Sequence, residues 1–154
     1  MEDILDRNLR GMTEAVRRNE ITSVDLVQGF LDRIEKVNSS LNAVVSINTE
    51  IALKLAAKAD SDLKEGIVHG PLHGIPMTIK DSLDTKDMVT TWGTKGRETF
   101  RPGRDATSVA RLREAGAILL GKTNTPEFTL SFQTDNLVYG RTNNPYNLEM
   151  TPGG

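Results

Sequence analysis

Apolar residues recur at helical spacing twice near the start of the chain. Leu9, Met12, Ala15 and Val16 mark one amphipathic segment, which Asn19 and Glu20 end. Leu26, Val27, Phe30, Leu31, Ile34 and Val37 form a longer stripe, with Thr22 or Ser23 placed to cap it. Asp25 suits the positive end of that helix and Lys36 its negative end. Residues 43–48, Ala-Val-Val-Ser-Ile-Asn, are short and β-branched, which predicts a strand. From a Thr49 cap, a third helix is expected to run to about Lys64, burying Ile51, Leu55, Ala59 and Leu63, with Gly66 as its stop. Residues 1–66 therefore read as a helical lead-in with one strand, whose polar side chains are caps or solvated faces.

After residue 66 the punctuation changes. A turn at Gly70-Pro71-Leu72-His73-Gly74 feeds a short apolar run, Ile75 to Ile79, that closes on Lys80 and Asp81. A run of this length reads as a buried strand. A β-prone piece follows around Met88 to Trp92, and loops are marked by Gly93, Gly96, Pro102 and Gly103. Asp105 or Thr107 caps a helix through Val109, Ala110, Leu112 and Arg113, which Gly116 closes; Ala117 to Leu120 is a second buried strand. Thr125-Pro126-Glu127 has the order of a helix start, and the tail from Asn136 reads as loop. Alternating helices and strands predict an α/β architecture over residues 67–154.

Composition narrows the chemistry. The 154 residues carry a net charge of −2, which gives no reason to expect nucleic acid or an anionic membrane as partner. No apolar run reaches membrane-spanning length, and the acidic start Met1-Glu2-Asp3 is unlike a signal peptide, so a cytoplasmic protein is expected. There is no cysteine, which excludes a thiol nucleophile, a thiolate metal site and any disulfide within the chain.

Three motifs remain to be weighed. Gly116 to Thr123 matches the letters of a phosphate-binding loop, but Ala117-Ile118-Leu119-Leu120 want a strand interior and Pro126 lacks an N–H, so Lys122 is placed at a strand exit instead. His69 and His73 are four apart, yet Gly70 and Pro71 between them forbid the helix that would aim both at one metal. No metal and no cofactor is expected, and His73 is left to hydrogen-bond its own turn. Lys80 is then either a surface lysine at a strand end or a buried base, since a hydroxyl nucleophile without a histidine needs a neutral lysine.

His73-Gly74-Ile75-Pro76-Met77-Thr78-Ile79-Lys80-Asp81, Gly121-Lys122-Thr123-Asn124-Thr125-Pro126-Glu127-Phe128, Tyr139-Gly140-Arg141-Thr142-Asn143-Asn144-Pro145-Tyr146 and Thr151-Pro152-Gly153-Gly154 resemble, in order and spacing, the amidase signature family. The resemblance covers the whole chain. It implies a mixed central sheet flanked by helices, of which this chain holds the N-terminal part. It also implies a serine amidase acting on carboxamide C–N bonds through a Ser–cis-Ser–Lys triad. Lys80 matches the catalytic lysine; desolvation would lower its pKa and let it act as a base. Thr129, Leu130 and Ser131 match the segment lining the acyl side of the pocket. Gly153 and Gly154 match the first letters of the loop that carries the bridging serine. That serine and the nucleophile are expected beyond Gly154, so the chain alone is expected to be inactive, with apolar faces open to the remainder of the amidase chain. The implied partners are a small-molecule amide and that remainder, with a homodimer allowed for. Two rival readings stand beside it: the A subunit of a tRNA-dependent amidotransferase, and a truncated non-catalytic binding module. Residues 125–132, Thr-Pro-Glu-Phe-Thr-Leu-Ser-Phe, look more like stand-alone amidases than like the Met-rich form of the amidotransferase.

Overall fold

A computed structural model describes residues 2–154. In chain order the helices are α1 (Glu2–Leu5), α2 (Leu9–Arg17), α3 (Ser23–Leu41), α4 (Thr49–Lys64) and α5 (Thr107–Glu114), and the strands are β1 (Val44–Ile47), β2 (Pro76–Lys80) and β3 (Ile118–Thr123). The strands form one sheet in the order β1-β3-β2. β1 is antiparallel to β3, pairing Ser46 with Lys122 and Ile47 with Gly121. Ile118 N–H donates to the Ile75 carbonyl and Asp81 N–H to that of Thr123, so partners ascend together and β2 runs parallel to β3. No helix among the described residues is long and apolar enough to cross a membrane.

Packing divides the chain into two compact units. Of the described residues, the first comprises those up to Ile34 together with 48–77 and 111–120. Its core joins Val27 and Leu31 of α3, Ala52, Ala56 and Ala59 of α4, and Ile118 and Leu120 of β3. Here the sequence expectation needs correcting: Ile51 and Leu55 are 46% and 41% exposed, and the alanine stripe of α4 is what turns inward. Small side chains let α4 approach its neighbours closely, a packing gain that a count of large apolar residues overlooks. α3 starts as expected, with Thr22 Oγ1 accepting from Asp25 N–H and donating to the Asp25 carboxylate. Asp60 of α4 adds a second cap, taking the N–H groups of Ser23 and Val24. The helix continues past Lys36 to Leu41, so no basic residue occupies its last turn. Gly66, at φ 79°, closes α4, and Ile67 N–H reaches back to the Asp62 carbonyl.

The second unit comprises residues 35–47, 78–110 and 121–154. Two expectations fail in it. Met88 to Trp92 is a loop with no strand: its backbone N–H groups go to scattered partners, Thr90 to the Phe100 carbonyl, Thr91 to the Asp81 carboxylate and Trp92 to the Asp81 carbonyl. Thr125-Pro126-Glu127 opens only a single 3₁₀ turn, Glu127–Thr129. Phe128 and Thr129 take positive φ of 50° and 60°, and the Thr125 hydroxyl donates to the Pro126 carbonyl rather than capping a helix. The tail from Asn136 is loop, as expected, pinned by Asn42 to the carbonyls of Tyr139 and Arg141 and by Thr142 to the Asn42 carbonyl.

Gly121 is required by this sheet: a Cβ there would sit 2.2 Å from the Ser46 carbonyl oxygen on β1. Gly121→Ala should therefore lower the unfolding free energy by about 1–3 kcal/mol, the usual range for overpacking. Gly103→Ala, with nothing within 4 Å of the new methyl, should stay within about 0.5 kcal/mol of the parent in urea titrations.

Candidate active site

Side chains alternate along a strand, so Lys80 and Asp81 leave the end of β2 on opposite faces. Asp81 goes inward and is fully buried, while Lys80 is half-buried. Asp81 is held at every polar atom but one. Its N–H donates to the Thr123 carbonyl and its carbonyl accepts from Trp92 N–H. Its Oδ2 accepts from both the N–H and the hydroxyl of Thr91. Oδ1 makes no hydrogen bond and faces Lys122 Nζ at 3.6 Å.

Lys122 is the largest fully buried side chain of the described residues. Its Nζ donates to the Leu83 carbonyl at 2.6 Å, Thr85 Oγ1 at 2.9 Å and Thr90 Oγ1 at 3.1 Å. Those partners match the three protons of an ammonium. Burial pushes Lys122 down from its ordinary value, opposed by the Asp81 carboxylate. Burial likewise pushes Asp81 up, opposed by its hydrogen bonds to Thr91 and by the Lys122 charge. Lys122 does sit near the exit of β3, but its burial was not anticipated. A signal was present in the sequence: this lysine prolongs an apolar run just as Lys80 does, and Asp81, Thr85, Thr90 and Thr91 supply oxygen ligands upstream.

Lys80 contrasts with it. Among the described residues its ammonium makes no hydrogen bond or ion pair, and only its backbone is fixed, the carbonyl accepting from Leu83 N–H at 3.0 Å. Of the other expected site residues, Leu130 is 85% exposed, and Thr129 and Ser131 are also exposed. Ser131 and Gly154 are brought together, since a Cβ on Gly154 would lie 2.0 Å from the Ser131 carbonyl oxygen. Gly153, at φ 108°, accepts the Thr134 hydroxyl through its carbonyl. The chain end thus lies along residues 131–134. Within this strip Phe132 is 95% exposed, and Leu137 and Tyr146, later in the same unit, are 80% and 98% exposed.

The histidines form a separate cluster in the first unit. His73 is buried and uses both ring nitrogens, Nδ1 accepting from His69 N–H and Nε2 facing the Ala59 carbonyl at 3.0 Å. A ring so placed is neutral with its proton on Nε2, and has no lone pair left for a metal. His69 stacks on it and bonds the Asp62 carboxylate at 2.6 Å, which Lys58 also reaches at 2.9 Å. Asp62 is buried, so the reading of every charged residue before position 66 as a solvated face or cap does not hold for it. No group of three or more His, Asp or Glu side chains among the described residues could hold a metal ion.

Comparison with known proteins supplies a framework for these residues. A family model described as Amidase matches residues 25–154. The A subunit of the glutamyl-tRNA(Gln) amidotransferase of Desulfatibacillum aliphaticivorans is 44% identical over 141 residues, covering 92% of this chain and 29% of the relative. Among solved structures, the peptide amidase of Stenotrophomonas maltophilia is 36% identical with a TM-score of 0.89, covering 97% of this chain and 32% of that one. A fatty acid amide hydrolase superposes with a TM-score of 0.94 at 27% identity, covering 99% of this chain and 27% of its own. The chain thus spans under a third of the length of the curated relatives it matches.

The Asp62 cluster has a pH signature. The His69 hydrogen bond, followed by that from Lys58, holds the Asp62 carboxyl below its ordinary value of 3.8. A carboxyl depressed in the folded state contributes stability above its unfolded value, which is lost as pH falls through the folded one. Urea midpoints should therefore drop as pH falls below about 4, and Asp62→Asn should flatten the profile in that window.

Proposed function

The chain belongs to the amidase signature family, and on that premise we propose that it contributes the general base, Lys80, of a serine amidase that hydrolyses carboxamide C–N bonds. The observation that carries this reading is the contrast between Lys80, at the end of the half-exposed β2, and Lys122, in the buried β3. Lys122 Nζ is committed to Leu83, Thr85, Thr90 and the charge of Asp81, so it has no lone pair to offer. Lys80 leaves the opposite face with an uncommitted amine.

In this reading both serines of the Ser–cis-Ser–Lys triad lie outside residues 1–154. Neutral Lys80 takes the proton of the bridging serine, which takes that of the nucleophilic serine. The nucleophile's Oγ bonds to the amide carbon, the C–N bond breaks, and the nitrogen leaves as ammonia or an amine carrying the relayed proton. Water then attacks the acyl ester by the same relay and releases the acid. Gly153 and Gly154 lead into the bridging serine. Thr129, Leu130 and Ser131 line the acyl side, a role supported by the contact of Gly154 with Ser131. The exposed apolar side chains beside this strip suit burial by the remainder of the chain.

A second reading, the A subunit of a tRNA-dependent amidotransferase, is favoured by the 44% identity to such a protein. Residues 125–132 favour the stand-alone amidase. Co-purification of the full-length protein with a second type of chain would reverse the order.

Ammonia release from benzamide and glutamine by the full-length protein tests the base. Lys80→Ala should reduce kcat by about 10²–10⁴-fold, the usual contribution of a general base. Lys80→Arg should be equally impaired, because a guanidinium keeps its proton at any working pH. The 154-residue chain alone should release no ammonia. Undiminished turnover by Lys80→Ala would overturn the assignment.

A further inference from the structure

The turn that carries Lys80 is tied down from beneath by groups that the amidase reading leaves without a task. Leu83 N–H bonds the Lys80 carbonyl, and the Leu83 carbonyl in turn accepts from Lys122 Nζ. Asp81, the next residue after Lys80, is bonded through its N–H to Thr123 on β3. Its carboxylate gathers Thr91, while Lys122 gathers Thr85 and Thr90, so the same pair folds the return limb of the loop back onto the strand end. Trp92 N–H on the Asp81 carbonyl closes the circuit. Lys80 therefore springs from a turn whose next residue and whose far end are both fastened to one buried ion pair.

Stability alone is a poor reason for such a pair. Burying both charges loses about as much in desolvation as it regains, and apolar replacements of similar size are often neutral or stabilising. What the pair supplies is direction: an Asp and a Lys that must meet, with their remaining bonds satisfied, allow one conformation of the turn between them. An uncommitted amine on a mobile turn would reach its partner hydroxyl in only a fraction of conformers, and a misplacement of about 1 Å can cost about a hundredfold in rate.

We propose that Asp81 and Lys122 are positioning residues for Lys80, their buried pair fixing the turn from which the base projects. The proposal rests on the reading of Lys80 as the base. Neither residue touches the reacting atoms in it. It also assigns Lys122 and Lys80 separate tasks, the first structural and the second available for proton transfer.

The test uses the full-length protein with benzamide and glutamine as probes, following ammonia release and backbone amide exchange. Lys122→Met should lower kcat about 10- to 100-fold with KM within about twofold of the parent. The Leu83 and Thr91 N–H groups, which the turn holds on the Lys80 carbonyl and the Asp81 carboxylate, should exchange faster while the helices of the first unit keep their protection. A fall in the folded fraction would instead quicken exchange throughout. Should Lys122→Met leave an unpaired Asp81 that prevents folding, the double variant Asp81→Asn/Lys122→Met carries no buried charge and should show the same local loss of protection. A folded variant of either kind with the parental exchange and kcat overturns the positioning role. So does a loss of kcat with the exchange of the turn unchanged. If Lys80→Ala itself retains turnover, the base assignment fails instead, a result separate from an active Lys122→Met beside an inactive Lys80→Ala.

Discussion

An ammonium taken wholly out of water must find an oxygen for each proton and a negative charge nearby, or it loses its proton. Lys122 meets that demand within the second unit, and the demand explains why residues 81–92 are shaped as they are. The loop supplies ligands from both threonines, the Thr90 hydroxyl for Lys122 and the Thr91 hydroxyl and N–H for Asp81. It cannot wander, because Leu83 must present a carbonyl to the same nitrogen. Asp81 in turn cannot leave the strand end. One buried charge therefore ties together a turn and the loop that follows it.

The first unit solves a different problem with similar means. Its helices lie close enough that alanines, not leucines, face inward along α4, and that closeness places polar backbone within reach of buried side chains. Asp60 uses it to cap α3, and His73 uses it to bind the Ala59 carbonyl. The turn at Gly70–Gly74 is drawn against residues 115 and 116 by Leu72 N–H and Gly74 N–H. A Cβ at Gly70 would lie 2.7 Å from the Ala115 carbonyl oxygen, and one at Gly116 would lie 2.7 Å from the His73 Cα. Those glycines are required by backbone contact, and β2 follows the first of them and β3 the second.

Element by element, periodicity was a good guide where burial follows residue size. It located α2, α3, α4, α5 and the strands β1, β2 and β3 near their observed bounds. It failed where burial follows closeness, as at Ile51 and Leu55, and where a side chain competes with the backbone for hydrogen bonds, as at Thr91 and Thr125. Those competitions are settled by partners outside the segment, the Asp81 carboxylate for the Thr91 N–H and Asn136 for the Thr125 carbonyl, and no local window contains them. The family was legible because its motifs are contiguous. The cage around Lys122 was not, because its members are spread from residue 81 to residue 122.

The same rule of thumb, that a lysine closing an apolar run is either at the surface or buried for a reason, applies to both Lys80 and Lys122 and separates them only once geometry is known. How far each strand is buried is the physical discriminator. On β2 the inward position at the strand end is taken by Asp81, which leaves Lys80 on the other face. On β3 every position from Ile118 to Lys122 is buried, so neither face offers the lysine a way to water and its charge goes into the interior. A carboxylate one residue beyond Lys80 is what that buried charge requires. The adjacency of Lys80 and Asp81 therefore has a cause in the sheet: the residue that neutralises one lysine also fixes the backbone of the other.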